Sequence, residues 1–288
     1  MIWDLDFENR QAIKFKKDNE KEERTDFLVG KPIKSLHGHN HFISSLALSS
    51  DSKKLISGSW DKTARLWDLP TYTSQRILAG HTKDVLAVSF SENERVIFTG
   101  SMDKSLKYWN TQGVMKYSSS AFKGWITCIA NFRKEKELFM AVGCMDGDVR
   151  ILDHDYTIIR TIPGEGYGVT SISPSDEGDF IFVSYKNGVV KLFSVATGPD
   201  QTDVEKQKFE INVDVNAVNF QSCYFGIIAL GTSTGIQFRS VKTKELLYSN
   251  ENIPSSACLS ICYDSSKKYV FAGHADGTIR VYQISPSA

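Results

Sequence analysis

The sequence predicts an all-β chain arranged as a β-propeller, and three observations predict it. First, a stretch recurs: Gly38-His39, Ser57-Gly58-Ser59-Trp60-Asp61-Lys62 and Leu66-Trp67-Asp68-Leu69 return as Gly80-His81, Thr99-Gly100-Ser101-Met102-Asp103-Lys104 and Tyr108-Trp109-Asn110. His39 to His81 and Trp67 to Trp109 are both 42 residues, the period of a four-stranded blade marked by Gly-His and Trp-Asp. Second, the runs between the marks are short and alternate, as in 42–48 (FISSLAL), 85–90 (VLAVSF) and 215–220 (VNAVNF), which is the pattern of half-buried strands. Third, nothing reads as a long amphipathic helix, so the sheets follow one another directly.

Each blade can be placed from the position of Trp67. It recurs at Trp109, Leu152, Phe193, Arg239 and Tyr282, in steps of 42, 43, 41, 46 and 43 residues. Six residues earlier stands a turn residue: Asp61, Asp103, Asp146, Asn187 or Asp276. The Arg239 repeat has a shorter turn, Thr232-Ser233-Thr234-Gly235. Asp146-Gly147, Asn187-Gly188 and Asp276-Gly277 are hairpin turns, because glycine tolerates positive φ; Lys62 and Lys104 occupy that glycine slot. At the other end, Met1-Ile2-Trp3-Asp4-Leu5 matches Leu66-Trp67-Asp68-Leu69, so Trp3 is a seventh mark. The expectation is a seven-bladed WD40 β-propeller, one domain over 1–288, with its first blade incomplete and its ring lacking the closing outer strand. On this reading the chain either starts at an internal Met of a longer protein or leaves one blade partial. The surplus at about 6–29 holds the mixed-charge run Lys14 to Arg24, expected to be a solvated, mobile loop insertion.

Composition sets further limits. The 288 residues are 41% hydrophobic and 24% charged, ordinary for a globular chain. Lys+Arg and Asp+Glu number 34 each, which excludes nucleic-acid binding through total charge and leaves room for a local basic face. There is no apolar run long enough for a membrane helix, and the first residues lack the basic and apolar regions of a signal peptide. The five cysteines form no CxxC pair. Reduced thiols are expected, and no metal site.

His39, Ser57, Asp61 and Trp67 resemble a catalytic set on paper. Placed on a blade, they fall on the entering loop, a middle strand, the following turn and the next strand, where they can form one hydrogen-bonded chain. The set repeats as His81, Thr99, Asp103 and Trp109, and a duplicated active site reads better as a structural brace. No catalytic residue is therefore expected. Gly164-Glu165-Gly166-Tyr167-Gly168 is not followed by a helix and makes a poor phosphate loop. His37, His39 and His41 alternate without a Cys or acidic partner nearby to complete a metal site. Cys258 and Cys262, four apart on a strand, are expected to share a core-facing side. Trp60 in its turn, and Trp125, are expected at a contact surface.

The chain resembles a known family: the eukaryotic receptors for activated C kinase, which are Gβ-like WD-repeat scaffolds. The resemblance is carried by 38–44 (GHNHFIS), 57–61 with 65–69, 80–91 (GHTKDVLAVSFS), 109–117 (WNTQGVMKY), 271–276 and 280–283. It covers 1–5 and about 33–284, strongly over 36–117 and more weakly over 120–250. It implies a docking platform without enzymatic activity or cofactor, cytoplasmic and bound to the head of the small ribosomal subunit near the mRNA exit, where it recruits protein kinases and translation factors. It implies no membrane and no small-molecule substrate. Its ribosome-facing residues include basic positions in a turn of the first blade that would precede Met1. The equivalent turns of the next two blades remain, so Trp60, Lys62, Lys83, Lys104 and His41 become the candidate contacts to rRNA phosphates or acidic protein tails. The alternative is a ribosome-free Gβ-like signalling adaptor; no heptads precede Ile33 to pair with a helical partner.

Overall fold

A computed structural model describes residues 2–4, 31–195, 204–211, 213–221, 226–250, 256–264 and 268–283. The expected insertion at 6–29 lies outside these residues, as does Cys223. Every described element is a strand. Blade 1 is β3 (Ile43–Leu48), β4 (Lys54–Ser59), β5 (Thr63–Asp68) and β6 (Thr73–Ala79); blade 2 is β7 (Val85–Phe90), β8 (Val96–Ser101), β9 (Leu106–Asn110) and β10 (Met115–Ser119). Blade 3 comprises β11 (Ile126–Lys134), β12 (Glu137–Cys144), β13 (Val149–Leu152) and β14 (Ile158–Ile162); blade 4 comprises β15 (Val169–Pro174), β16 (Phe180–Tyr185), β17 (Val189–Ser194) and β18 (Val204–Glu210). Blade 5 is β19 (Val215–Gln221), β20 (Ile227–Thr232), β21 (Gly235–Ser240) and β22 (Leu246–Ser249), and blade 6 is β23 (Cys258–Tyr263), β24 (Tyr269–His274) and β25 (Ile279–Gln283).

Among the described residues the structure thus has six blades where the sequence predicts seven. The seventh mark, Trp3, lies on β1 (Ile2–Asp4), which among the described residues pairs with β2 (Lys31–Lys34) in a two-stranded ribbon. A mark at the Trp position counts one strand, and a blade needs the strands on both sides of it. Blade 6 has three strands among the described residues, with β25 at its edge.

The innermost strands succeed one another side by side: β3 against β7, then β11, β15, β19 and β23. The apolar core is divided accordingly into five clusters, each at the seam between neighbouring blades. Glycines on the second strand allow the close approach. A Cβ on Gly58 would come within 2.8 Å of Val88 Cγ1, and one on Gly100 within 2.3 Å of Ile126 Cγ2, closer than carbon atoms pack. At the matching Gly273 of blade 6 a Cβ would meet only the Ser260 carbonyl of its own blade, at 3.9 Å.

Polar bonds also cross the seams. Near the start of the inner strand, Ser44 Oγ donates to the carbonyls of Gly58 in its own blade and Val85 in the next. Thr127 Oγ1 does the same with Gly143 and Val169, and Thr170 Oγ1 with Ser184 and Val215. Asn216 Nδ2 reaches Cys258 O at 3.1 Å. Cys258 and Cys262 do not share a face: Cys258 is buried and Cys262 exposed. A register shift between Cys258 and Ser260 breaks the alternation that the sequence spacing assumes.

Candidate functional site

The loops that enter the blades and the turns between second and third strands lie on one rim of the propeller. In blade 1, Trp67 Nε1 donates to Ser57 Oγ at 2.8 Å, His39 Nε2 lies 2.6 Å from that hydroxyl, and His39 Nδ1 lies 2.7 Å from Asp61 Oδ2. The polarity follows from the donors: indole N–H to hydroxyl, hydroxyl to Nε2, Nδ1–H to carboxylate. Blade 2 repeats the chain through Trp109, Thr99, His81 and Asp103 at 2.9, 2.7 and 2.9 Å. Ser57 and Thr99 are buried, and their oxygens are committed to these partners. Burial pushes the Asp61 carboxyl up, but hydrogen bonds from the Thr63 hydroxyl, His39 and the Asn40 and Thr63 amides outweigh it and bring it to about 2. At Asp103, burial is likewise overcome by the Ser105 hydroxyl, the Thr82 amide and His81, and the carboxyl also falls to about 2. Burial depresses His81 despite Asp103 beside it, which favours the neutral imidazole that the bond order requires.

Blades 3, 4 and 6 fasten the same place differently. Phe122 stands where blades 1 and 2 carry histidine, and the Arg150 guanidinium covers its ring at 5.5 Å. Arg150 is buried and reaches Asp146 Oδ2 at 3.1 Å and Asp148 Oδ2 at 3.2 Å. In blade 4, Lys191 holds Glu165 at 2.6 Å and Glu205 at 2.8 Å; in blade 6, Arg280 reaches Asp276 at 3.3 Å. A basic residue stands two places before the Trp position at Arg150, Lys191 and Arg280, but also at Arg65 and Lys107 in blades 1 and 2, so that position alone does not mark the ties.

Of the contact candidates, His41 and Trp60 lie together at 5.6 Å between ring centroids, and Phe42 meets Trp60 edge-on at 5.5 Å. Phe42 is 70% and Trp60 39% exposed. The Trp60 amide donates to the Phe42 carbonyl at 3.0 Å, fixing the turn against the entering loop. Lys62, Lys83 and Lys104 are exposed; Lys62 and Lys104 belong to these rim turns, and Lys83 to the loop entering blade 2. Lys62 and Lys104 have φ of 70° and 65°, where Gly147, Gly188 and Gly277 stand in blades 3, 4 and 6. A left-handed lysine costs about 1 kcal/mol relative to glycine. Phe42, which the sequence did not single out, completes the aromatic group.

A recess of about 480 Å³ opens on the opposite face. Its ionisable lining includes Glu92 bonded to Arg133 and Glu94 bonded to Ser50. Among the described residues no group of three or more His, Cys, Asp or Glu could hold a metal, and no helix is long and apolar enough to cross a membrane. Burial raises the Cys128 and Cys144 thiols to about 12 and Cys258 to about 11.

Radial four-stranded sheets braced by a Trp–hydroxyl–His–Asp chain define a WD-repeat propeller. The family model "WD domain, G-beta repeat" matches residues 30–68, 72–110, 156–194 and 247–283. The chain is 36% identical over 271 residues to the "Small ribosomal subunit protein RACK1" of Caenorhabditis elegans, covering 89% of this chain and 81% of that protein. It is 38% identical over 274 residues to the protein of the same name in Drosophila melanogaster, covering 91% and 84%. The chain belongs to the RACK1 family of WD-repeat proteins.

Proposed function

We propose that the protein is a non-enzymatic scaffold of the small ribosomal subunit, seated through the rim of blades 1 and 2 and docking signalling and translation factors near the mRNA exit in the cytoplasm. The ribosomal part of this reading follows the relatives' names. The observation that carries the seat is the left-handed backbone of Lys62 and Lys104. Strained positions that glycine would relieve are kept where the side chain is needed. With Lys83 between them and the Trp60–Phe42–His41 group beside them, they offer cations for phosphates and an aromatic face for a base or side chain. The buried hydroxyls of both braces, each already bonded twice, support a scaffold over a hydrolase.

Sedimentation with purified small subunits tests the seat. The wild-type chain should travel with the subunit at low salt and be released as salt rises. Lys62→Glu with Lys104→Glu should leave the chain at the top of the gradient. Wild-type protein that stays at the top at low salt would instead support a ribosome-free adaptor.

A further inference from the structure

Beyond the seat on blades 1 and 2, the same rim carries a second apolar group on blades 3 and 4. Trp125, Met145 and Tyr167 are 39, 36 and 50% exposed. They form one patch. The Met145 amide donates to the Trp125 carbonyl at 2.8 Å, and Met145 Sδ lies 2.5 Å from where a Gly168 Cβ would stand, beside Tyr167. The Lys186 amide donates to the Gly168 carbonyl at 3.0 Å, which fixes the far side. Rings flanking a thioether make an adaptable apolar contact surface.

The charges around the patch define its partner. Every nearby carboxylate is engaged: Asp146 and Asp148 by Arg150, Glu165 by Lys191. The exposed Lys123 and Lys186 flank the patch in sequence, and neither enters an ion pair among the described residues. The surface left for a partner is therefore apolar in the middle and positive at its edges. A second feature lies next to Tyr167. The Tyr185 hydroxyl is buried, has no hydrogen-bond partner, and lines a small recess with Glu165, Tyr167, Asn187, Val189 and Lys191. That recess is too small to admit even a water-sized group, so the hydroxyl takes no part in docking.

We infer that the Trp125–Met145–Tyr167 patch docks an extended acidic peptide segment of a protein partner, with apolar side chains on the patch and carboxylates at Lys123 and Lys186. This rests on the scaffold reading for its purpose and on blades 3 and 4 alone for its geometry. The test uses the full chain and a fluorescein-labelled hexapeptide alternating Glu with Phe or Leu, followed by anisotropy. Trp125→Ala and Met145→Glu should each weaken binding at least about tenfold, and Lys123→Glu with Lys186→Glu should remove its salt dependence. All are surface changes, and unaltered thermal unfolding should show the fold intact. Lys62→Glu with Lys104→Glu should leave peptide binding unchanged, while Met145→Glu should leave sedimentation with small subunits unchanged, so the two sites fail separately. Peptide binding indifferent to Trp125→Ala and Met145→Glu would overturn the inference. So would a labelled oligouridylate that binds the wild type better than the peptide and is lost in the same variants.

Discussion

Blades 1 and 2 and blades 3, 4 and 6 solve one problem with different chemistry. Each must tie a rim loop or turn to the strands beneath it. The first two do so with a serial chain of hydrogen bonds, running from indole through hydroxyl and imidazole to an ionised carboxylate. The others place a cation against one or two carboxylates. A serial chain fails at any link, because removing one member strands the next in a buried place. A forked ion pair keeps its second prong. From this difference, the blades with the clearest sequence signature should also be those least tolerant of substitution at the signature.

The sharpest way to break that comparison is Asp103→Ala. It leaves the Thr82 and Ser105 amides without their acceptor, removes the carboxylate from the Ser105 hydroxyl and leaves His81 Nδ1–H only Ser105 Oγ, at 3.2 Å, and should cost about 3 kcal/mol, read from urea unfolding. Asp146→Ala should cost about 1 kcal/mol, because Arg150 retains Asp148. Equal losses in the two variants would mean that the braces do not differ in kind.

Acid should separate the regions next. His81 has a depressed pKa in the fold, so as the pH drops below the ordinary histidine value the unfolded chain takes up the proton first and stability declines. Asp61 and Asp103, ordinarily 3.8, lie at about 2 in the fold. Their contribution is complete above the unfolded value and is lost as the pH falls from about 4 through 2. Replacing both, Asp61→Asn with Asp103→Asn, should lower stability at neutral pH and flatten the acid limb of a midpoint-versus-pH series. A limb as steep as the wild type's would place the titrating carboxylates elsewhere.

The smallest stability effect carries the functional contrast. Lys62→Gly and Lys104→Gly should each stabilise the fold by up to about 1 kcal/mol, by relieving the positive φ, and together they should weaken sedimentation with small subunits. Stabilisation without any loss of association would remove these lysines from the seat.

The sequence disclosed the braces because four residue types recur at fixed spacing, and spacing survives where the fold repeats. It did not disclose the cationic ties. Their members change identity from blade to blade, from Asp146–Arg150 to Glu165–Lys191, and Glu165 arrives from the entering loop rather than the turn. Counting marks gave one blade more than the described residues form, since Trp3 marks a strand of the two-stranded β1–β2 ribbon. The paired side of Cys258 and Cys262 failed for a related reason: one bulge reverses alternation, and nothing in the spacing reports it. On the rim, Trp60 stood out by its type, whereas Phe42, Met145 and Tyr167 emerged only once strand register set them on one edge.

The side chains that bridge the seams bear on how the chain is made. Ser44, Thr127 and Thr170 each touch a carbonyl of their own blade as well as one of the next. On a ribosome the next blade does not yet exist when the hydroxyl emerges. The carbonyl at home satisfies it in the meantime, and the bond is shared forward once the following strand arrives. A nascent chain can therefore close one seam after another in the order of synthesis, without leaving a stranded polar group at its growing end.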